Sequence, residues 1–300
     1  MGCVAAIDIG TNTVRLLIQA LDGTQLAREV AITRLGQGVD VQGALAPEAM
    51  ARTLAAIDSY AAAIRSHQPE RLRIIATSAA RDAKNRDEFF AAVEQRLGQA
   101  PELLSGDSEA RLSFAGATST WPNAIAPRVV VDIGGGSTEL AFGRDSVEQA
   151  ISLNIGAVRI TERHLAHDPP PKGELDAALA NLSQEFSRAT AFHGLPTTTI
   201  WIGVAGSVTT IAAHVAGLKN YDPTITHGMR LSRSDVAASF DRFSALPVAE
   251  RRQLLIEPKR AETIVGSCAV LHSVYEAFGL EFMTVSETDI LDGIAASLVH

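Results

Sequence analysis

Two stretches carry potential site residues in the same order. VAAIDIGTNTVRLLI, residues 4–18, and VVVDIGGGSTELAF, residues 129–142, each run from an apolar segment through Asp-Ile-Gly into small polar residues and a second apolar segment. Asp8 and Asp132 hold equivalent places at strand ends, where a carboxylate can carry a hydrated Mg²⁺ beside phosphate. Thr11, Asn12 and Thr13 follow the first; Gly134, Gly135, Gly136, Ser137 and Thr138 follow the second. Glycine lets a backbone approach an anion closely and reach positive φ. Successive backbone N–H groups then form an anion-binding concavity, and the hydroxyl and amide side chains add donors. A tight hairpin with capping hydroxyls would explain one such motif; its repetition favours two phosphate-holding turns. A third glycine turn, GVAGSVTTIAA at 203–213, puts Gly206 and Ser207 at a helix N-terminus, which binds anions through exposed N–H groups. An N-capped helix after a buried strand is the plainer reading of that segment taken alone.

The elements that must position these residues are legible from periodicity. Strands are predicted over 4–9, 14–20, 26–34 and 71–77, with helices over 47–66 and 85–97, the first opened by Pro47 and the second closed by Gly98. Segment 105–117 reads as a loop entering a helix. Two strands flank the Gly134 turn, a helix is expected over 174–193, and a strand over 199–206 leads into a helix from Ser207. Helices near 233–246 and 258–278 follow, then a strand and a terminal helix with Ser286 as its N-cap. Strand-rich and helical stretches thus alternate twice, with a boundary near Trp121-Pro122-Asn123.

Bulk composition fits a globular chain with ample core: 46% hydrophobic and 20% charged residues in 300. A net charge of −8 offers no broad basic field, so nucleic acid is not an expected partner and any anionic substrate must meet locally gathered cations. Cys3 and Cys268 form no disulfide framework or close-spaced metal pair and read as small core residues. No apolar run is long enough to span a membrane and no signal peptide opens the chain, so a cytoplasmic location without membrane partners is expected. The eight histidines show no metal-ligand spacing.

The three glycine turns together resemble the superfamily of actin, Hsp70-type ATPases, sugar kinases and exopolyphosphatases. The finer pattern resembles the Ppx/GppA phosphatases, in AIDIGTNTVRLLI (6–18), ATSAARDAKN (76–85), LSGDSEARLSF (104–114), VVDIGGGSTEL (130–140), GVAGSVTTIAA (203–213), PKRAETIVG (258–266) and VSETDILDGI (285–294). That resemblance implies an α/β fold of two actin-like (ribonuclease H-like) lobes with an interdomain cleft. Residues 1–121 plus the terminal helix at about 287–300 would form one lobe and 122–286 the other, and hinge closure would exclude bulk water from the site. It implies hydrolysis of terminal phosphoanhydride bonds of polyphosphate, or of the 5′ γ-phosphate of pppGpp, by attack of water. Glu109 falls on the family's proposed catalytic glutamate. Where the family often has two adjacent glutamates this chain has Ser108-Glu109, which leaves Glu109 as the candidate base of that segment. Without the family, Glu109 would read as an acid in a helix's first turn.

Glu139 is expected to orient the nucleophile or to join Asp132 and Asp8 on Mg²⁺, with Mn²⁺ as substitute and a monovalent cation also compatible. Arg81 suits phosphate oxygens through its guanidinium fork, with a surface ion pair as the other reading. Arg15 either faces phosphate or sits on its hairpin. Lys84, Arg86, Lys259 and Arg260 are further candidates for a polyanion track. The expected ligand is inorganic polyphosphate, in short chains, or guanosine penta- or tetraphosphate; a homodimer is compatible with these features. A sugar or acetate kinase and a (p)ppGpp- or polyphosphate-binding sensor with little turnover are the alternatives.

Overall fold

A computed structural model describes residues 2–121 and 125–299. The chain divides into two compact units, Met1–Gly116 with Thr288–His300, and Ala117–Glu287. Pro122 and Asn123, within the predicted boundary, lie outside the described residues.

In the first unit β1 (Cys3–Ile9) is buried along its whole length, as a central strand covered on both faces must be. It pairs antiparallel with β2 (Thr13–Ala20), and β2 in turn with β3 (Gln25–Ile32). On its other side β1 pairs in parallel with β4 (Arg71–Ala76), and β5 (Glu102–Leu103) completes the order β3-β2-β1-β4-β5. The helices are α1 (Val39–Gln42), α2 (Pro47–His67), α3 (Ser78–Asp82), α4 (Arg86–Leu97) and α5 (Gly106–Thr118). Pro47 opens α2 as its sequence predicts, and buried Tyr60 donates its hydroxyl to the Val14 carbonyl at 2.8 Å. Phe89 and Val93 are the buried face of α4, which stops at left-handed Gly98.

The second unit repeats the plan. β6 (Arg128–Ile133), β7 (Thr138–Gly143) and β8 (Val147–Leu153) form an antiparallel meander, followed by α6 (Ala157–His164) and α7 (Lys172–Phe186). β9 (Ile200–Val204) pairs in parallel with β6 and enters α8 (Ala205–Val215). After α9 (Pro223–Thr226) come β10 (Arg230–Ser232), α10 (Arg233–Ser244), α11 (Val248–Leu254), α12 (Ile264–Phe278) and β11 (Phe282–Val285), giving the order β10-β11-β9-β6-β7-β8. The last helix, α13 (Ile290–Ala296), returns to the first unit. Cys3 and Cys268 are free and buried, as expected. No helix of the described residues is long and apolar enough to cross a membrane.

Three boundaries differ from the sequence expectation. The helix expected over 174–193 is α7, which stops at Phe186; a separate 3-10 turn follows at Thr190–Phe192. The helix expected from 258 starts at Ile264, because Pro258–Arg260 forms its own 3-10 turn, capped by the Glu257 carboxylate on the Lys259 N–H. Ser286 does not cap the terminal helix: it is buried at the end of β11, where its N–H donates to the Gly203 carbonyl. Asp289 is the cap. Its carboxylate accepts from the Leu291 N–H at 3.0 Å, and Asp292 answers on the Asp289 N–H at 2.9 Å, a reciprocal capping box.

That cap is also the hub of an ion network. Arg15, on β2, donates to Asp289 and to Asp8 Oδ2 on β1, the latter through Nη2 at 2.6 Å and Nε at 3.0 Å. Arg28, on β3, pairs with Asp292. Burial works against ionisation of Asp289, but Arg15 and Arg28 outweigh it and hold its carboxyl below the usual range. Burial dominates at Asp8 and raises its pKa although Arg15 is beside it. Close backbone contact completes the docking of α13. A Cβ on Gly116 of α5 would lie 1.8 Å from the Asp289 carbonyl oxygen, and one on Gly293 would lie 2.1 Å from that of Leu112.

Gly116→Ala therefore forces α5 and α13 apart and is expected to cost at least about 2 kcal/mol in urea unfolding; an unchanged midpoint would show that this crossing is not tight. Arg15→Met leaves Asp8 buried without its cation, a loss of about 3 kcal/mol at neutral pH. A carboxyl with a raised folded-state pKa destabilises above that pKa and is relieved as pH falls through it. The Arg15→Met deficit should therefore shrink in denaturant titrations as pH is lowered from neutral towards the ordinary carboxyl range of about 4, and a deficit independent of pH would contradict the pairing.

Candidate functional site

The duplicated motif folds into duplicated hairpins. The Gly10 N–H donates to the Thr13 carbonyl at 2.9 Å and the Gly134 N–H to the Ser137 carbonyl at 3.0 Å, so the two turns close in the same way. In register, Asp8 faces Arg15 and Asp132 faces Glu139. Directly opposed residues of antiparallel strands project from one face of the sheet. The first copy thus sets an acid against a base, and the second sets an acid against an acid. Asp132 and Glu139 are both buried, and Ser152, facing Glu139 on β8, donates its hydroxyl to Glu139 Oε1 at 2.7 Å.

Positive φ is not what the turn glycines supply. Gly10, Gly134, Gly135 and Gly136 are absent from the left-handed positions of the described chain. What distinguishes the second turn is the direction of its peptides. The Gly134 carbonyl accepts from the Ala157 N–H at 3.0 Å, and the Gly135 carbonyl accepts from Val158 at 2.8 Å and Arg159 at 3.2 Å. The Gly136 carbonyl accepts from Arg159 Nε at 2.7 Å. In a trans peptide the N–H points opposite to the C=O. The N–H groups of Gly135, Gly136 and Ser137 therefore face away from α6, and they make no hydrogen bond among the described residues. In the first turn the Thr11 carbonyl accepts from Gly36 and the Asn12 carbonyl from Thr33 and Arg34, so the Asn12 N–H is turned outward by the same logic.

The side chains of the two turns divide. Thr138 is fully buried and donates its hydroxyl to the Ile155 carbonyl at 2.6 Å, a structural bond rather than the phosphate contact expected of it. Arg15 is likewise taken up by Asp8 and Asp289, which corresponds to the hairpin reading of this residue. Ser137 and Thr11 are buried at their turns; Thr11 packs so closely on Gly36 that a Cβ there would meet its Cγ2 at 2.3 Å. Thr13 opens β2, and buried Asn12 Oδ1 has no hydrogen-bond partner among the described residues.

Glu109 sits in the first turn of α5, whose start is fixed by Ser105 Oγ accepting from the Ser108 N–H at 3.2 Å. It is buried, and Arg81 of α3 reaches it: Nη1 donates to Glu109 Oε2 at 2.5 Å and to the Leu104 carbonyl at 3.0 Å. These two expected site residues are brought together as an ion pair. In the second unit Asp132 lies beside Val204 in the parallel register, so it adjoins the third turn. Ala205 there has φ 68, strained for a residue with a Cβ. No side chain caps α8, which leaves its first N–H groups to other partners. Ser207 Oγ accepts from Ser267 Oγ at 3.2 Å. The Arg260 guanidinium presses on Gly206, where a Cβ would lie 2.4 Å from both Nη atoms. Arg260 was expected only as one of several general cations; its contact with the third turn comes from the fold.

Sequence reasoning missed Asp289, although VSETDILDGI carries the Asp-x-x-Asp spacing of a capping box. It also missed Arg159, for which the only signal is Gly156-Ala157-Val158-Arg159 opening α6 after the hairpin. Among the described residues no group of three or more His, Cys, Asp or Glu gathers as a metal site.

Residues 17–300 match the model of the Ppx/GppA phosphatase family. Exopolyphosphatase 2 of Mycobacterium tuberculosis is 42% identical over 313 residues, covering 98% of this chain and 98% of that protein. A solved exopolyphosphatase-like protein, 40% identical, superposes with a TM-score of 0.93 over 99% of this chain and 98% of its own. The Aquifex aeolicus member of the Ppx/GppA family, 31% identical, does so with a TM-score of 0.82 over 99% of this chain and 97% of its own. The α/β architecture of two actin-like lobes is thereby borne out, and the chain belongs to the Ppx/GppA phosphatase family.

Proposed function

We propose that the chain hydrolyses terminal phosphoanhydride bonds of inorganic polyphosphate and releases orthophosphate. The observation that carries this reading is the 42% identity, over nearly the full length of both chains, to a protein named exopolyphosphatase 2. The local chemistry supports it. Outward N–H groups at the Gly134–Ser137 turn suit the equatorial oxygens of a phosphoryl group, whose charge in the transition state is best met by donors already in place. Glu109 is the proton acceptor for the attacking water, and Arg81 holds its Oε2 so that the carboxylate keeps one orientation.

The donor set fits Mg²⁺ better than zinc. Two opposed buried carboxylates without histidine or thiolate match an ion that keeps several waters and takes one or two carboxylates. Asp132 and Glu139 would hold it. Asp8 is the poorer fit because Arg15 already neutralises Oδ2, although Oδ1 is buried without a partner among the described residues. When bound, the ion would offset phosphate charge and polarise a phosphoryl oxygen. Ser152 fixes one Glu139 oxygen and so limits how that carboxylate can turn.

The test is orthophosphate release with Mg²⁺ from short polyphosphate, long polyphosphate, pppGpp and ATP. Wild type should release phosphate from polyphosphate, and Glu109→Gln should lower kcat about 10²- to 10⁴-fold, measured at a temperature where circular dichroism shows the variant fully folded. Preferential release from pppGpp would reassign the substrate. Binding without release from any of the four would replace hydrolysis by sensing, and full activity in Glu109→Gln would remove that residue from its role.

A further inference from the structure

We propose that Arg159 is a positioning residue for the reaction: by holding the back of the Gly134–Ser137 turn, it sets the direction of the N–H groups that meet the substrate's phosphate. This rests on the hydrolytic reading above. Three consecutive carbonyls of the turn are bound from one side by the opening of α6, and only the last of them, Gly136, is held by a side chain. Arg159 Nε makes that bond at 2.7 Å with the residue buried, so it is shielded from competition by water. The Gly136 carbonyl and the Ser137 N–H belong to one planar unit, and fixing the first fixes the second. Without Arg159 that peptide is free to rotate, and the Ser137 N–H leaves the row formed with Gly135 and Gly136.

Two further observations point the same way. Gly156 lets α6 touch the turn, since a Cβ there would lie 2.6 Å from the Gly135 carbonyl carbon and oxygen and 2.7 Å from the Gly136 nitrogen. The guanidinium also places a permanent positive charge behind the turn, on the side opposite the outward N–H groups. Arg159 thus acts on phosphate through the backbone, without needing to touch it.

The experiment compares wild type with Arg159→Lys, Arg159→Met and Gly156→Ala. It measures kcat and KM on polyphosphate, the inhibition constant of orthophosphate, and the Kd of tripolyphosphate by calorimetry without added metal. Circular dichroism and melting give the folded fraction. Arg159→Met should lower kcat/KM roughly 10- to 100-fold and weaken both phosphate constants roughly five- to tenfold. Arg159→Lys, which keeps a charge and a donor, should lie between Met and wild type. Gly156→Ala reaches the turn by displacement and should weaken the same constants if an Arg159 variant fails to fold. A fall in kcat with unchanged inhibition and binding constants reflects fewer folded molecules and would overturn the proposal, as would wild-type constants in every variant. If wild type binds tripolyphosphate but releases no phosphate, the hydrolytic reading fails while the Met variant's weaker binding still supports the role of Arg159. If wild type binds none of these anions, both fail.

Discussion

A buried aspartate at the end of a strand must be answered by the residue facing it across the hairpin, and this chain answers twice in opposite ways. Asp8 faces Arg15 and Asp132 faces Glu139, at the same spacing in duplicated hairpins. Like charges directly opposed on antiparallel strands repel, whereas opposite charges attract. The first hairpin therefore carries its own counter-ion, and its polar cluster becomes part of the framework. The second concentrates negative charge beside a turn that offers N–H groups, a combination suited to a cation and a phosphate together. One repeated plan is thus neutralised by its own ion pair in the first copy, while the second is the copy to which the proposed chemistry is assigned.

The framework role extends well beyond the hairpin. Arg15 joins the strand-end Asp8 to Asp289, the cap of α13, and Arg28 fixes Asp292 of the same capping box. The end of the chain is thereby tied to the β1–β3 meander by charge, while Gly116 and Gly293 let α5 and α13 meet at backbone distance. Glu109 lies on α5 two turns before that contact, so the helix carrying the proposed proton acceptor is anchored at one end by Ser105 and at the other by the close crossing. Arg81 then sets the carboxylate's direction.

Much of this was legible in the sequence. The repeated Asp-Ile-Gly pattern, the α/β order, Pro47 and Gly98 as helix punctuation, and the family motifs follow from short-range spacing, and short-range spacing survives folding. What stayed hidden depends on partners distant in the chain. That the Arg15 guanidinium is paired on both sides depends on Asp289, 274 residues away. That the Thr138 hydroxyl is spent on the Ile155 carbonyl depends on where the chain passes after β8. Ser286 has the residue type of a helix cap, but the parallel pairing of β11 with β9 buries it in the sheet and passes the role to Asp289. The glycines of the two hairpin turns were expected to supply positive φ. They instead permit close packing and particular peptide directions, which composition does not reveal.

The difference between the two hairpins is open to direct measurement through Mg²⁺-dependent melting, since an ion that binds only the folded state raises its stability. Millimolar Mg²⁺ should raise the melting temperature of wild type and of Asp8→Asn, and should no longer do so in Glu139→Gln. An undiminished response in Glu139→Gln, with loss of the response in Asp8→Asn, would place the cation on the first hairpin and contradict the assignment of structure to one copy and chemistry to the other.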